Sequence, residues 1–204
     1  MAAGNGFIEF SPDTRYGNGV VNLSDNFILA HKFVLDGSGN KEISEIGGYF
    51  YRNSGTGTIL IHLAIFENDA TNDCPSTMVD GSDSGELSFG AGGYLKKSTV
   101  YASPFNLVGG STYWLAVISD LPTSNFAVIS SFATGGYLGV TKTGGTYPTW
   151  PEDAAWHTHT NMTSDTSLYA VYADAPAEGP TQAQLMRHGT WFGSGVKQRM
   201  WWAK

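Results

Sequence analysis

Two histidines stand two residues apart in the stretch Trp156-His157-Thr158-His159. On a strand, positions i and i+2 project from one face, so His157 and His159 could offer two imidazoles to one Zn²⁺ or Ni²⁺. A metal centre needs further ligands, and none stands beside them in the sequence; a polar loop face is the plainer reading. Asp80, Asp83 and Glu86 crowd the stretch DGSDSGE and could gather around Ca²⁺. Their spacing departs from the D-x-D-x-D-G calcium loop, which favours a solvated acidic loop. Glu67 and Asp69 form a carboxylate pair of the kind glycosidases use, although such pairs also simply end strands. Cys74 is the single cysteine, which excludes an internal disulfide and any multi-cysteine cluster. No nucleophile elbow, phosphate-cradling glycine loop or dinucleotide fingerprint occurs. The sequence therefore predicts no catalytic residues, no enzyme activity, no cofactor and no complete metal-ligand set, and chelation is expected to leave stability unchanged.

The residues that stand out are aromatic and cationic. Tyr147, Trp150 and Trp156, interleaved with Pro148 and Pro151 and followed by His157 and His159, fill a long loop. Rings on such a loop suit stacking on a sugar face or docking on protein; the alternative is that they plug one end of the body. The C-terminal stretch combines Trp191, Phe192, Trp201 and Trp202 with Arg187, His188, Lys197, Arg199 and Met200. Trp and Arg dominate interface energies, and Met adapts to irregular surfaces. A free tail exposing these rings would aggregate, so it must be buried against its own body or a neighbouring subunit. Docking on a partner subunit is the expectation.

These residues need a scaffold, and the hydropathy pattern supplies one. Period-2 stretches occur at 26–34, 43–51, 58–67, 98–107, 111–119, 125–133, 136–142 and 166–173. In 58–67, Ile59, Ile61, Leu63 and Ile65 form one face and Leu60, His62, Ala64 and Phe66 the other. Two apolar faces predict a central strand buried on both sides. Trp114, within 111–119, is expected in the core. Long connections at 67–93 and 144–165 separate the strands, and 181–188 is the one helical candidate, opened by Pro180 and closed by Gly189. The predicted fold is all-β: a jelly-roll-like antiparallel β-sandwich over 25–175, with an N-terminal arm at 1–24 and a linker and basic aromatic tail, with a short helix or arm, at 176–204.

Composition agrees. The 204 residues include 26 Gly and 27 aromatic residues (6 Trp, 10 Tyr, 11 Phe), a profile of strands broken by glycine turns. Charge is partitioned: residues 1–178 hold seven cations against 18 acids, a formal −11, whereas 179–204 hold four cations and no acid, a formal +4. An acidic body argues against wrapping nucleic acid. The first residues show no cationic segment followed by an apolar run, so no secretory signal is expected. No run of 18 apolar residues occurs, which argues against a helical membrane span.

The blocks GGYFYRNSGTGTILIHLAIFEND, YASPFNLVGGSTYWLAVISD and SLYAVYAD resemble jelly-roll domains of tailed-bacteriophage virion proteins: head decorations, head fibres and tail fibres. The GGSTYWLAV stretch also looks like sandwich domains of bacterial extracellular proteins. The ending QLMRHGTWFGSGVKQRMWW is similar to short C-terminal segments of phage structural proteins. The resemblance spans about residues 43–204. It implies a non-enzymatic virion component, often a homotrimer, assembled in the host cytoplasm on the major capsid protein or on neighbouring copies. A capsid decoration or cement protein that grips neighbours through its termini is the first expectation. A fibre module that binds a host-surface glycan or receptor through the 144–160 loop is the second.

Overall fold

A computed structural model describes residues 19–23, 27–52, 57–90, 93–120, 126–131, 139–163 and 165–175. Among these described residues, thirteen strands and one short helix follow in order. They are β1 (Gly19–Leu23), β2 (Ile28–Val34), β3 (Asn40–Arg52), β4 (Ile59–Asp69), β5 (Cys74–Met78), β6 (Leu87–Phe89) and β7 (Gly93–Val108). Then come β8 (Thr112–Ser119), β9 (Phe126–Ser131), β10 (Gly139–Lys142), α1 (Asp153–Trp156), β11 (Thr160–Met162), β12 (Asp165–Thr166) and β13 (Leu168–Asp174). The fold is all-β and sandwich-like, as the alternating pattern predicts. No described helix is long and apolar enough to cross a membrane.

Every described strand pair is antiparallel, and the strands form two sheets. The first runs β1-β9-β3-β13, with β7 on the other edge of β3 and β12 on β9. The second runs β11-β10-β2-β8-β4-β5, with β6 also on β4. The chain crosses between sheets at β1–β2, β2–β3, β3–β4, β6–β7, β7–β8, β8–β9, β9–β10 and β11–β12, a jelly-roll-like winding. Gly19–Leu23, within the stretch read as an arm, is a strand that pairs with β9.

Alternation decides which side chains fill the space between the sheets. Leu29 and Phe33 of β2, Ile59, Ile61, Leu63 and Ile65 of β4, and Tyr113, Leu115 and Val117 of β8 face Ile43, Ile46 and Phe50 of β3 in one buried cluster. Phe50 and Phe89 meet edge-on at 5.1 Å. One irregularity has a visible cause. Ile43 pairs with Phe105 and Glu45 with Val100, so residues 101–104 of β7 stand opposite Ser44 alone. Pro104 has no N–H to give a ladder and belongs in such a bulge. Tyr101 in the same bulge turns its hydroxyl to the Ser82 carbonyl at 2.5 Å.

The second sheet is apolar on its other face as well. Ile28, Ala30, Ala64, Phe66, Trp114, Ala116, Ile118 and Val140 form a second buried cluster there. Ala30 pairs with Ala116, and Ala116 with Ala64, so a row of methyl groups makes a trough across three strands. Trp114 is buried as expected; its indole N–H donates to Asn68 Oδ1 at 2.8 Å. Among the described residues no third sheet covers this face. Tyr147, Trp150 and Trp156 from the loop between β10 and β11 do.

Candidate functional site

The loop over the second sheet carries Tyr147, Trp150 and Trp156, the singled-out aromatic site residues that lie among the described ones. Gly144 begins it at φ +83°, which a side chain would resist. A narrow turn follows, with Thr149 N–H donating to Thr146 O at 2.6 Å. The Tyr147–Pro148 peptide is cis. Pro151 then leads into the single turn of α1, which ends with His157 N–H on Ala154 O. Trp156 points from this turn into the trough, fully buried and edge-on to Phe66 at 5.5 Å.

Trp150 is held from two sides. Its ring meets Phe66 edge-on at 5.4 Å, and its indole N–H donates to Asp83 Oδ2 at 2.8 Å. Asp83 Oδ1 lies 2.8 Å from His62 Nδ1, and the His62 ring stands edge-on to Tyr147 at 5.4 Å. Asp83 therefore ties the 67–93 connection to the aromatic loop. Asp80, Asp83 and Glu86 do not converge as ion ligands among the described residues; Asp83 orients rings instead. Burial, helped by Glu86, Asp120 and Asp83, pushes the Tyr147 phenol up to about 12.

His157 and His159 part company. They follow α1 rather than sit on one strand, which removes the shared face that alternation would give. His159 Nδ1 lies 2.8 Å from Trp156 O, whereas His157 Nε2 lies 3.2 Å from Asp69 Oδ2. Glu67 is exposed, while Asp69 is engaged by the turn that follows it. Thr71 N–H donates to Asp69 Oδ1 at 2.7 Å, and Asn72 Nδ2 donates to Oδ2 at 2.6 Å. These bonds, the Asn72 side chain first, hold the Asp69 carboxyl below its ordinary value.

Cys74, set aside in the sequence because it is single, completes a cluster. The antiparallel register places it directly opposite Asp69. Asp73, at φ 51°, makes the left-handed step that returns the chain, a conformation Asp tolerates. Cys74 Sγ, an Asp69 carboxylate oxygen and a His157 ring nitrogen all lie within 4.8 Å of one another. Burial, with Asp69, Asp153 and Asp73 adding to it, pushes the Cys74 thiol up to about 11. The turn letters Asp69-Ala-Thr-Asn-Asp could have signalled the Asp69–Cys74 pairing; nothing local signalled His157.

The raised thiol and phenol give a pH prediction. In the unfolded chain they ionise near 9.0 and 10.0; in the folded chain, near 11 and 12. Their contribution is therefore full below pH 9 and is lost as pH rises through the folded values. The urea midpoint is expected to stay level up to about pH 9 and fall steadily above it, with Cys74→Ala delaying the onset toward the phenol range. A midpoint unchanged at pH 11 would show that neither group is buried in solution.

Beside Trp150 lies a cleft of about 250 Å³, lined by Lys142, Thr146, Thr149, Trp150, Pro151 and Ala155 together with Gly144 and Gly145. A more open groove of about 470 Å³ adjoins it at Lys142 and runs along Phe27, Thr141, Thr143, Thr158, His159 and Thr160. Lys142 Nζ donates to Thr158 Oγ1 at 3.2 Å, where the two meet. One indole, threonine hydroxyls and one ammonium thus line the cleft, and further threonines line the groove that shares Lys142 with it. Of the expected loop residues, Trp150 faces the cleft and His159 the groove, Tyr147 and Trp156 pack on the sheet, and His157 turns to Asp69.

The expected docking residues Arg187, His188, Trp191, Phe192, Lys197, Arg199, Met200, Trp201 and Trp202 lie outside the described residues, as does the helical candidate 181–188. No protein-family model matches the chain, and no curated protein does.

Proposed function

We propose that the chain is a non-enzymatic module of a phage virion, of the fibre type, that recognises a host-surface glycan through the cleft beside Trp150. The observation that carries this reading is the lining of that cleft: a half-buried indole beside threonine hydroxyls and Lys142. Sugars present an apolar face to a ring and hydroxyls to polar neighbours, and sites for them combine both. Asp83 fixes the Trp150 ring before any ligand arrives, which lowers the ordering cost of binding. The virion setting rests on the sequence resemblance alone.

Glycan-array binding by the isolated protein tests the reading, followed by titration of the best sugar. Trp150→Ala is expected to weaken binding tenfold or more, about 1.4 kcal/mol. Lys142→Ala should cost less, because a half-buried cation at the rim of an open cleft is partly screened. No binding on the array, or unchanged affinity in Trp150→Ala, sinks the glycan reading.

The charge partition favours a second reading, capsid decoration. The basic tail, +4 over residues 179–204, would grip the major capsid protein or neighbouring copies, as a homotrimer in the resembled proteins. Here truncation after Pro180 abolishes particle occupancy while Trp150→Ala leaves it intact. The glycan reading expects the reverse dependence in cell binding.

A further inference from the structure

We infer that Asp69, Cys74 and His157 form a binding site for a zinc-class divalent cation, which fastens the aromatic loop to the β4–β5 hairpin. Three ligand types arrive from two segments far apart in the chain, one from each side of that seam. Thiolate with imidazole selects Zn²⁺ or its relatives over Ca²⁺ and Mg²⁺, which prefer oxygen alone. The spacing is close to what a tetrahedral ion demands. Ordinary Zn–N and Zn–O lengths put those two ligand atoms about 3.3 Å apart. His157 Nε2 and Asp69 Oδ2 stand 3.2 Å apart. Zn–S geometry asks for about 3.6 Å from sulfur to its neighbours, so Cys74 Sγ, within 4.8 Å, has about an ångström to close.

The surroundings support the ligands. The backbone N–H groups of Thr71 and Asn72 hold Asp69 Oδ1, as partners behind a metal ligand do, which leaves Oδ2 toward His157. Asn72 Nδ2, 2.6 Å from Oδ2 and 3.3 Å from His157 Nε2, is the group the ion displaces on binding. Asp153 on α1 and Asp73 add negative field at Cys74. On binding, the Cys74 S–H bond breaks, its proton passes to buffer, and the sulfur lone pair forms the S–Zn bond. His157 binds through neutral Nε2 and Asp69 as carboxylate, so the two anionic ligands balance the dication. His157 is exposed, which leaves the fourth position to water. Chelation is therefore expected to lower stability, where the sequence alone predicts no change.

The test uses the full chain, stripped with EDTA and titrated with Co²⁺ and then Zn²⁺. One equivalent of Co²⁺ should bind with tetrahedral d–d absorption and a sulfur-to-cobalt charge-transfer band. Zn²⁺ should displace it and raise the melting temperature by several degrees at a hundredfold excess over Kd. Cys74→Ser should abolish the charge-transfer band. His157→Gln, a surface change that leaves folding intact, should weaken binding at least tenfold, and His159→Gln should not. Absence of the sulfur band, or Co²⁺ affinity unchanged in His157→Gln, overturns the proposal.

Discussion

Replacing Trp156 by Ala is expected to destabilise the protein by about 3–5 kcal/mol, the range for emptying a large aromatic site. That is a large share of the ~5–15 kcal/mol that holds a typical domain folded. Trp156 is fully buried and comes from a four-residue helix whose first turn has no side-chain cap. A single turn contributes little stability of its own, so packing must hold it. The ring also shields the trough made by Ala30, Ala116 and Ala64 and the edge of Phe66. Trp156→Phe should cost much less, under about 1.5 kcal/mol, for two reasons. Phe keeps most of the apolar contact. It also removes an indole N–H that is buried without an acceptor among the described residues. Urea unfolding gives both numbers, and dye binding to exposed apolar surface reports whether the loop has lifted from the sheet. Equal losses for Ala and Phe would mean that the ring does not fill the trough.

Gly47→Val is the second large effect. Gly47 lies in the middle of β3, paired with Ser98 of β7 on one side and Tyr169 of β13 on the other. A Cβ there would stand 2.6 Å from Ser98 Cβ, 2.6 Å from Tyr169 Oη and 2.7 Å from the Lys97 carbonyl. The carbonyl belongs to a ladder and cannot withdraw, so the strands or Tyr169 must shift. Tyr169 is buried, donates to Glu45 Oε1 at 2.7 Å, and has Lys96 Nζ 5.4 Å from its ring centre. Valine would displace the ring and break that bond. Overpacking of this kind costs roughly 1–3 kcal/mol, and the hydrogen bond adds about 1 more. Gly47→Ala should fall between wild type and Val. A calorimetric melting series orders the three, and a Val variant as stable as wild type would show that Tyr169 does not lie over Gly47.

Both predictions rest on contacts whose legibility in the sequence differs. The strands were readable because alternation is a local signal, carried by adjacent residues facing opposite sides of a sheet. The two apolar faces of β4 follow from Ile59–Phe66 read alone, and Trp114 follows from its place in an alternating run. The 67–93 and 144–165 stretches were opaque for the converse reason. Their residues each answer to a different partner element, so no period survives, and the short strands β5, β6 and β11 within them left no pattern to read.

The sequence by itself determined the all-β class, most strand positions, the double-sided burial of β4 and the division of charge between body and tail. Each is set by neighbours in the chain or by composition. Only the tertiary structure decided what covers the outer face of the second sheet: among the described residues, the aromatic loop. It also decided that Asp83 orients Trp150 and that His157 leaves His159 for Asp69 and Cys74, 83 residues from the cysteine. Such meetings depend on the path that connections within the second sheet take over its outer face. That path is chosen by the packing of the whole body, and the spacing of residues along the chain carries no record of it.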